Sequence, residues 1–299
     1  MIKVLLYCFL ITCAVSSNVL YAEEKPSIAE FTMGWYFPSI NAQVSRTDFH
    51  VAINFWLEEF SQSVNIEQTE VKVFDHIEGM QAAFDKGELS VIVAPPLLIA
   101  KYFPLNTLAD GFIGKSITGK PYDMVVLARE DAQITGVKDV KNKRLALPKN
   151  DELAMVFLNS LLIPEFHQTY PRVFKSVQEF PRQNAIIHQL FFKKADVGVA
   201  YLETYNLMVE LNPQIKDRVK ILANFPIDSP NYSFFHYKFP ENFRKIFIAQ
   251  ALELNHSPRS QQILNDFRMA ALAVCKVESL DPFIDLNKLD QKLQLQIRQ

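Results

Sequence analysis

The sequence is poor in cysteine: of 299 residues three are Cys, and two of these, Cys8 and Cys13, fall in the first 22. Once that segment is removed Cys275 stands alone, so an internal disulfide is excluded even in an oxidising compartment. Glycine is scarce as well, with eight, and none falls in the spacing of a Walker loop, a G-x-G-x-x-G turn or a G-x-S-x-G elbow. The six histidines (His50, His76, His167, His188, His236, His256) show no metal-type H-x-x-x-H pairing. The reading therefore expects no metal, no cofactor and no catalytic residue. Neither charge sign prevails, because 31 Lys and Arg face 33 Asp and Glu. A formal charge of −2 offers no electrostatic case for nucleic acid. Beyond residue 22 no stretch is apolar enough for a membrane span.

What the sequence has in quantity is apolar and aromatic residues. With 49% hydrophobic residues, 24 Phe and 10 Tyr, well-filled cores and an aromatic-lined site are expected. The length suits two lobes of about 100–200 residues each. The opening "MIKVLLYCFLITCAVSSNVLYA" places one Lys before an apolar run from Val4 to Val15, then small and polar residues ending in Ala22. That run is shorter than the roughly 20 residues a span requires, and its layout is that of a secretory signal cleaved after Ala22. A lipoprotein reading would acylate Cys13, which Thr12 before it fits poorly. Cys275 lies in "FRMAALAVCKV", read as an apolar helical stretch in which the thiol is buried packing.

Strand and helix signals alternate along the rest. "EFTMGWYF", "TEVKVF" and "LSVIVAPP" read as strands; the helices "DFHVAINFWLEEFSQSV" and "HIEGMQAAFDKG" lie between them, the second closed by Gly87. The scheme recurs with strands "DMVVLAR", "KRLALP", "FKSVQEF" and "DVGVAY", and with helices "DELAMVFLNSLLI" and "NAIIHQLFFKKA". "YSFFHYKF" and the helices "PENFRKIFIAQALELN" and "SQQILNDFRMAALAVC" close the chain. This order predicts an α/β protein whose mostly parallel sheets are flanked by helices. "QAAFDKGELSVIVAP" and "HQLFFKKADVGVAY" echo each other as helix, basic turn and small apolar strand. In such sheets ligands gather at the strands' C-terminal ends.

The order and spacing of "GWYFPSI", "AAFDKGELSVIVAPP", "GKPYDMVVLAREDAQITGVKDVKNKRLALP", "FFKKADVGVAYLETY" and "ILANFPIDSPNYSFFHYKFPENFRKIFIAQAL" resemble the type II periplasmic solute-binding proteins of the phosphate/phosphonate-binding branch. The resemblance implies two α/β lobes, residues 23–121 plus 230–299 and residues 122–229, closing on a small-molecule ligand between them. Hinges are expected near Gly119–Tyr122 and Asp228–Tyr232. Such a protein works in the periplasm, as a monomer, and hands its solute to an ABC permease. A sensor role on a histidine kinase and an enzyme on the same fold are the alternatives. Carried over position by position, the cleft would be lined by Tyr36, Phe37 and Ser39 after the first strand and by Pro95 and Pro96 after the third. Tyr122 and Asp123 would come from the crossing. Asn150, Asp151, Gln183, Asn184, Tyr201 and Glu203 would come from the second lobe.

Two positions depart from that family's pattern. Relatives place Ser/Thr-rich residues where the second lobe's first helix begins, so that hydroxyls and N–H groups hold an oxyanion. Here "PKNDELAMV" puts Asp151 and Glu152 in that place. Both are good helix-start residues, and both would repel a dianion in a closed cleft by several kcal/mol. The ligand is thus expected to be something other than phosphate, with a cationic or zwitterionic amine fitting better. The second departure is Ser90, where the family more often has Asp; Asp196 keeps that type in the second lobe.

Overall fold

The computed structural model describes residues 28–37, 66–119, 121–256 and 268–297, with scattered positions between 47 and 61 and between 261 and 265. Two sheets organise them. The first comprises β1 (Ile28–Tyr36), β2 (Ile66–Phe74), β3 (Val91–Ala94), β4 (Leu108–Ala109), β5 (Gly111–Ser116), β11 (Tyr232–His236) and β12 (Met269–Cys275). Its order is β12-β5-β11-β3-β1-β2, with β4 joined to β11. The second comprises β6 (Met124–Arg129), β7 (Arg144–Pro148), β8 (Ser176–Phe180), β9 (Val197–Tyr201) and β10 (Val219–Phe225), in the order β10-β6-β9-β7-β8. The chain leaves the first sheet after Ser116 and returns to it at Tyr232.

Each sheet has a parallel heart: β1 lies between β2 and β3, and β7 between β8 and β9. Met33 faces Val71 and Val91, and Leu145 faces Val177 and Val197. The other pairings are antiparallel, so the expectation of mostly parallel sheets is corrected to mixed ones. The reason is the crossing itself. A strand reached through a covering helix keeps its direction. A chain leaving one sheet at its inner end must enter the other at that sheet's inner end, running the opposite way.

Helices cover both faces: α1 (Ile77–Asp85), α2 (Pro96–Tyr102), α3 (Glu152–Phe166), α4 (Gln183–Phe191), α5 (Leu202–Leu211), α6 (Glu241–Glu253) and α7 (Asp281–Gln296). α1 buries Ile77, Met80, Ala83 and Phe84, the stripe that helical spacing dictates. The echo between the halves is a structural one. Gly87 N donates to Phe84 O at 2.8 Å, as Lys193 N does to Leu190 O at 3.0 Å. Both turn residues lie in the left-handed region, φ +76° for Gly87 and 62° for Lys193. Glycine reaches that region without steric cost.

One segment read as helix is a strand. Met269–Cys275 pairs antiparallel with β5 and closes that edge of the first sheet; Cys275 is buried there. A short all-apolar run carries no period to separate a buried strand from a buried helix. Between the sheets runs an aromatic chain: Phe283 of α7 meets Tyr232 with ring centroids 5.7 Å apart and Phe225 at 5.6 Å, and Phe225 meets Phe157 at 5.7 Å. α7 itself lies against both α2 and α3.

Candidate functional site

The end of β1 and α2 of the first sheet approach the start of α3, which covers the second. Tyr36, the last residue of β1, is half-buried, and its hydroxyl is pushed above its usual range by burial and then by Glu152, Glu78 and Asp75. Tyr102, at the end of α2, donates to Glu78, and burial followed by that carboxylate raises it likewise. Lys101 pairs with Glu152 across the gap, α2 to α3. Two phenols, three carboxylates and one lysine thus lie together at this gap.

The start of α3 shows why. Asn150 takes φ 56°, a left-handed turn that Asn tolerates. Asp151 then caps the helix, accepting from Ala154 N at 3.1 Å. It also accepts the Tyr201 hydroxyl hydrogen bond. Burial pushes the Asp151 carboxyl up; burial and the Asp151 charge push Tyr201 well above the phenol range. The end of α3 that could receive an anion is filled by the chain's own carboxylate. Tyr201 N in turn donates to Gln183 Oε1 at 2.7 Å.

The remaining expected residues divide. Pro95 and Pro96 begin α2 at the end of β3, Pro96 at its first turn. Asn184 is exposed in the first turn of α4, where Arg182 rather than Asn184 stands at the cap. Tyr122, Glu203 and Ser116 belong to the crossing. Ser116 Oγ donates to Glu203 Oε1 at 2.7 Å, linking the sheets, and burial followed by Glu203 pushes Tyr122 up to about 12. Asp123 accepts from Ile227 N and Asn224 Nδ2, both at 3.2 Å, and so ties the first crossing to the second, where it also lines a cavity. Phe37 is buried in the first sheet's core, because β1 still pairs as far as Phe37 N to Phe74 O. Ser39 lies outside the described residues, as do residues 1–22 and Cys13.

Asp75, Glu78, Lys101 and Tyr102 were missing from the sequence reading. The rule that ligands gather at strand C-termini would have found Asp75 and Glu78, which follow β2 beside the β1 end at Tyr36. Lys101 and Tyr102 stand at the far end of a helix, and nothing local marks them. A cavity of about 660 Å³ opens elsewhere, beside the crossings, between Gly119, Pro121, Asp228, Tyr232, Glu278 and Phe283. Among the described residues no group of three or more His, Cys, Asp or Glu is placed to hold a metal ion, and no helix is long and apolar enough to cross a membrane.

Comparison with solved structures finds this fold. A Xanthomonas citri protein bound to ATP superposes with a TM-score of 0.66 at 11% identity, covering 89% of this chain and 98% of its own. A binding-protein component of an ABC phosphonate transporter from Pseudomonas aeruginosa gives 0.62 at 11% identity, covering 90% and 89%. PhnD1 from Prochlorococcus marinus, in complex with methylphosphonate, gives 0.60 at 14% identity, covering 89% and 98%. No curated protein matches the sequence. Residues 39–278 match the profile of a phosphonate-binding family described as "ABC transporter, phosphonate, periplasmic substrate-binding protein". With the fold and most of its length accounted for in this way, the chain belongs to the phosphonate-binding family of periplasmic substrate-binding proteins of ABC transporters.

Proposed function

We propose that this family member is exported after cleavage behind Ala22 and takes a small molecule bearing a cationic amine between two lobes, residues 23–121 plus 230–299 and residues 122–229. It passes that molecule to an ABC permease and performs no chemistry on it. The observation that carries this reading is the charge around Tyr36 and Tyr102: Asp75, Glu78 and Glu152 gather on two phenols. Carboxylates beside aromatic faces make an environment for an ammonium group. An anion such as the methylphosphonate of the Prochlorococcus protein would meet Asp151 and Glu152, at an α3 terminus that Asp151 already caps. Tyr36, Tyr102, Glu78 and Glu152 are the residues assigned to contact, with Pro95, Asp151, Gln183 and Tyr201 shaping the walls.

A thermal-shift screen of the exported protein tests this. Alkylamines, betaines and amino acids are run beside phosphate and methylphosphonate. A ligand at about a hundred times its Kd adds roughly 2.7 kcal/mol, so an amine-bearing compound should raise Tm clearly. Stabilisation by phosphate or methylphosphonate alone would overturn the reading and reduce Asp151 and Glu152 to helix-start residues.

A further inference from the structure

Among the described residues Lys101 is the cation in this acidic neighbourhood, and its placement is specific. It stands in the last turn of α2, whose Leu97, Leu98 and Ile99 are buried, so the base of its side chain is fixed. Its ammonium sits on Glu152 Oε1 of α3, across the gap between the two sheets, and 5.8 Å from the Tyr102 ring centroid. Tyr102 is itself engaged with Glu78. A carboxylate from one lobe, an aromatic face from the other and a second carboxylate behind it are the surroundings that an ammonium ligand would seek. They already surround an ammonium.

Glu152 is also free to exchange partners. The capping of α3 is done by Asp151, through Ala154 N, so the helix start makes no claim on Glu152. Both members of the Lys101–Glu152 pair keep part of their surface open to water. Pairs open to water are weak, and a ligand's other contacts can outweigh them. The lysine's four-carbon stem lets the head swing away while its base stays in place.

Resting on the amine reading above, we propose that Lys101 is a tethered competitor. Its ammonium holds the place on Glu152 that a ligand's amine takes, so that binding exchanges one cation for another. Lys101 then sets specificity by subtraction. A compound whose only feature is a positive charge gains little by the exchange, and one that also fills the space beside Tyr36 and Tyr102 gains more. The opposite role, in which Lys101 anchors a ligand's anion, predicts opposite signs throughout.

The test is calorimetric titration of the exported protein and its K101M, K101R and E152Q variants with n-butylamine and with methylphosphonate. The proposal expects K101M to bind n-butylamine about fivefold more tightly than the unaltered chain, the equivalent of about 1 kcal/mol. K101R should remain near the unaltered affinity, and E152Q should lose n-butylamine while keeping its circular dichroism spectrum. If n-butylamine binds the unaltered chain and K101M leaves its affinity unchanged or weaker, the exchange is wrong and the amine reading stands. If n-butylamine binds neither protein, both fail. Methylphosphonate binding that K101M abolishes would then identify Lys101 as an anion anchor.

Discussion

Ser90 and Asp196 occupy the same place in the two sheets. Ser90 Oγ accepts from Thr32 N of β1 at 3.2 Å, and Asp196 Oδ2 accepts from Arg144 N of β7 at 3.0 Å. Ser90 N donates back to Thr32 O at 2.8 Å, and Asp196 N to Arg144 O at 2.9 Å. The backbone role is shared; only Asp196 adds charge, receiving Arg144 Nη2 at 2.8 Å and Arg129 Nη2 at 3.2 Å.

Replacing Asp196 by Ser, the residue that serves in the first sheet, should therefore cost about 2–4 kcal/mol, because Arg129 would be left largely buried without that partner. The Arg144 hydrogen bond holds the Asp196 carboxyl below its ordinary 3.8. A depressed carboxyl contributes stability above its ordinary value and loses it as pH falls through the depressed one. In urea melts the gap between the parent chain and D196S should be full at neutral pH and narrow as pH falls through 3.8 and below it. A gap independent of pH would mean that the ion pairs contribute nothing.

Asp151 has the opposite sign. Burial raises its carboxyl above 3.8, so stability is lost as pH rises from there through the raised value. Asn caps helices about as well as Asp, so Asp151→Asn should gain stability over the parent chain as pH is raised, with the two converging in acid. Asp151→Ala forfeits the bond to Ala154 N and should cost about 1 kcal/mol. Melting curves across pH check both, and a stability loss in D151N at neutral pH would show that the charge itself is needed.

Cys275 should be inert in the folded chain. It is 1% exposed in β12, and burial pushes its thiol up to about 12, leaving almost no thiolate at neutral pH. Ellman's reagent is expected to titrate one thiol in the exported protein only after denaturant is added. Rapid reaction without denaturant would contradict the packing of β12 against β5.

Gly111 and Gly114, both in β5, should differ in their tolerance of alanine. A Cβ at Gly111 would stand 2.2 Å from the Ser233 carbonyl oxygen, part of the β11 backbone. At Gly114 it would meet the Met269 side chain, at 2.0 Å from Sδ, which can turn aside. Gly111→Ala should cost about 3 kcal/mol or more and Gly114→Ala about 1 kcal/mol. Thermal denaturation of the two variants decides whether the ranking holds.

Much of the fold was legible because its signals are local. Ile77, Met80 and Phe84 fall on one helical face, and Gly87 marks the end of that helix. "VIVA" and "VGVA" are too short and too apolar for a surface helix. What escaped notice depends on pairing across the chain. "MAALAVC" becomes a strand because β5 offers it an edge, and no feature within those seven residues says so. The site was half legible for the same reason. Tyr36, Asp151 and Tyr201 stand at strand ends and helix starts that the sequence marks. Asp123 stands in the crossing as its position suggests, but its partners there, Ile227 and Asn224, lie about a hundred residues downstream. Lys101 reaches Glu152 only once both sheets are assembled.

The position of α7 joins the two sheets along one flank. A helix resting on α2 from one sheet and on α3 from the other, with Phe283 wedged between Tyr232 and Phe225, fastens the two halves along that flank. This last helix is therefore a brace shared by both sheets: cutting the chain at Leu280 would strip Phe283 and Leu286 from the core and should loosen both halves at once.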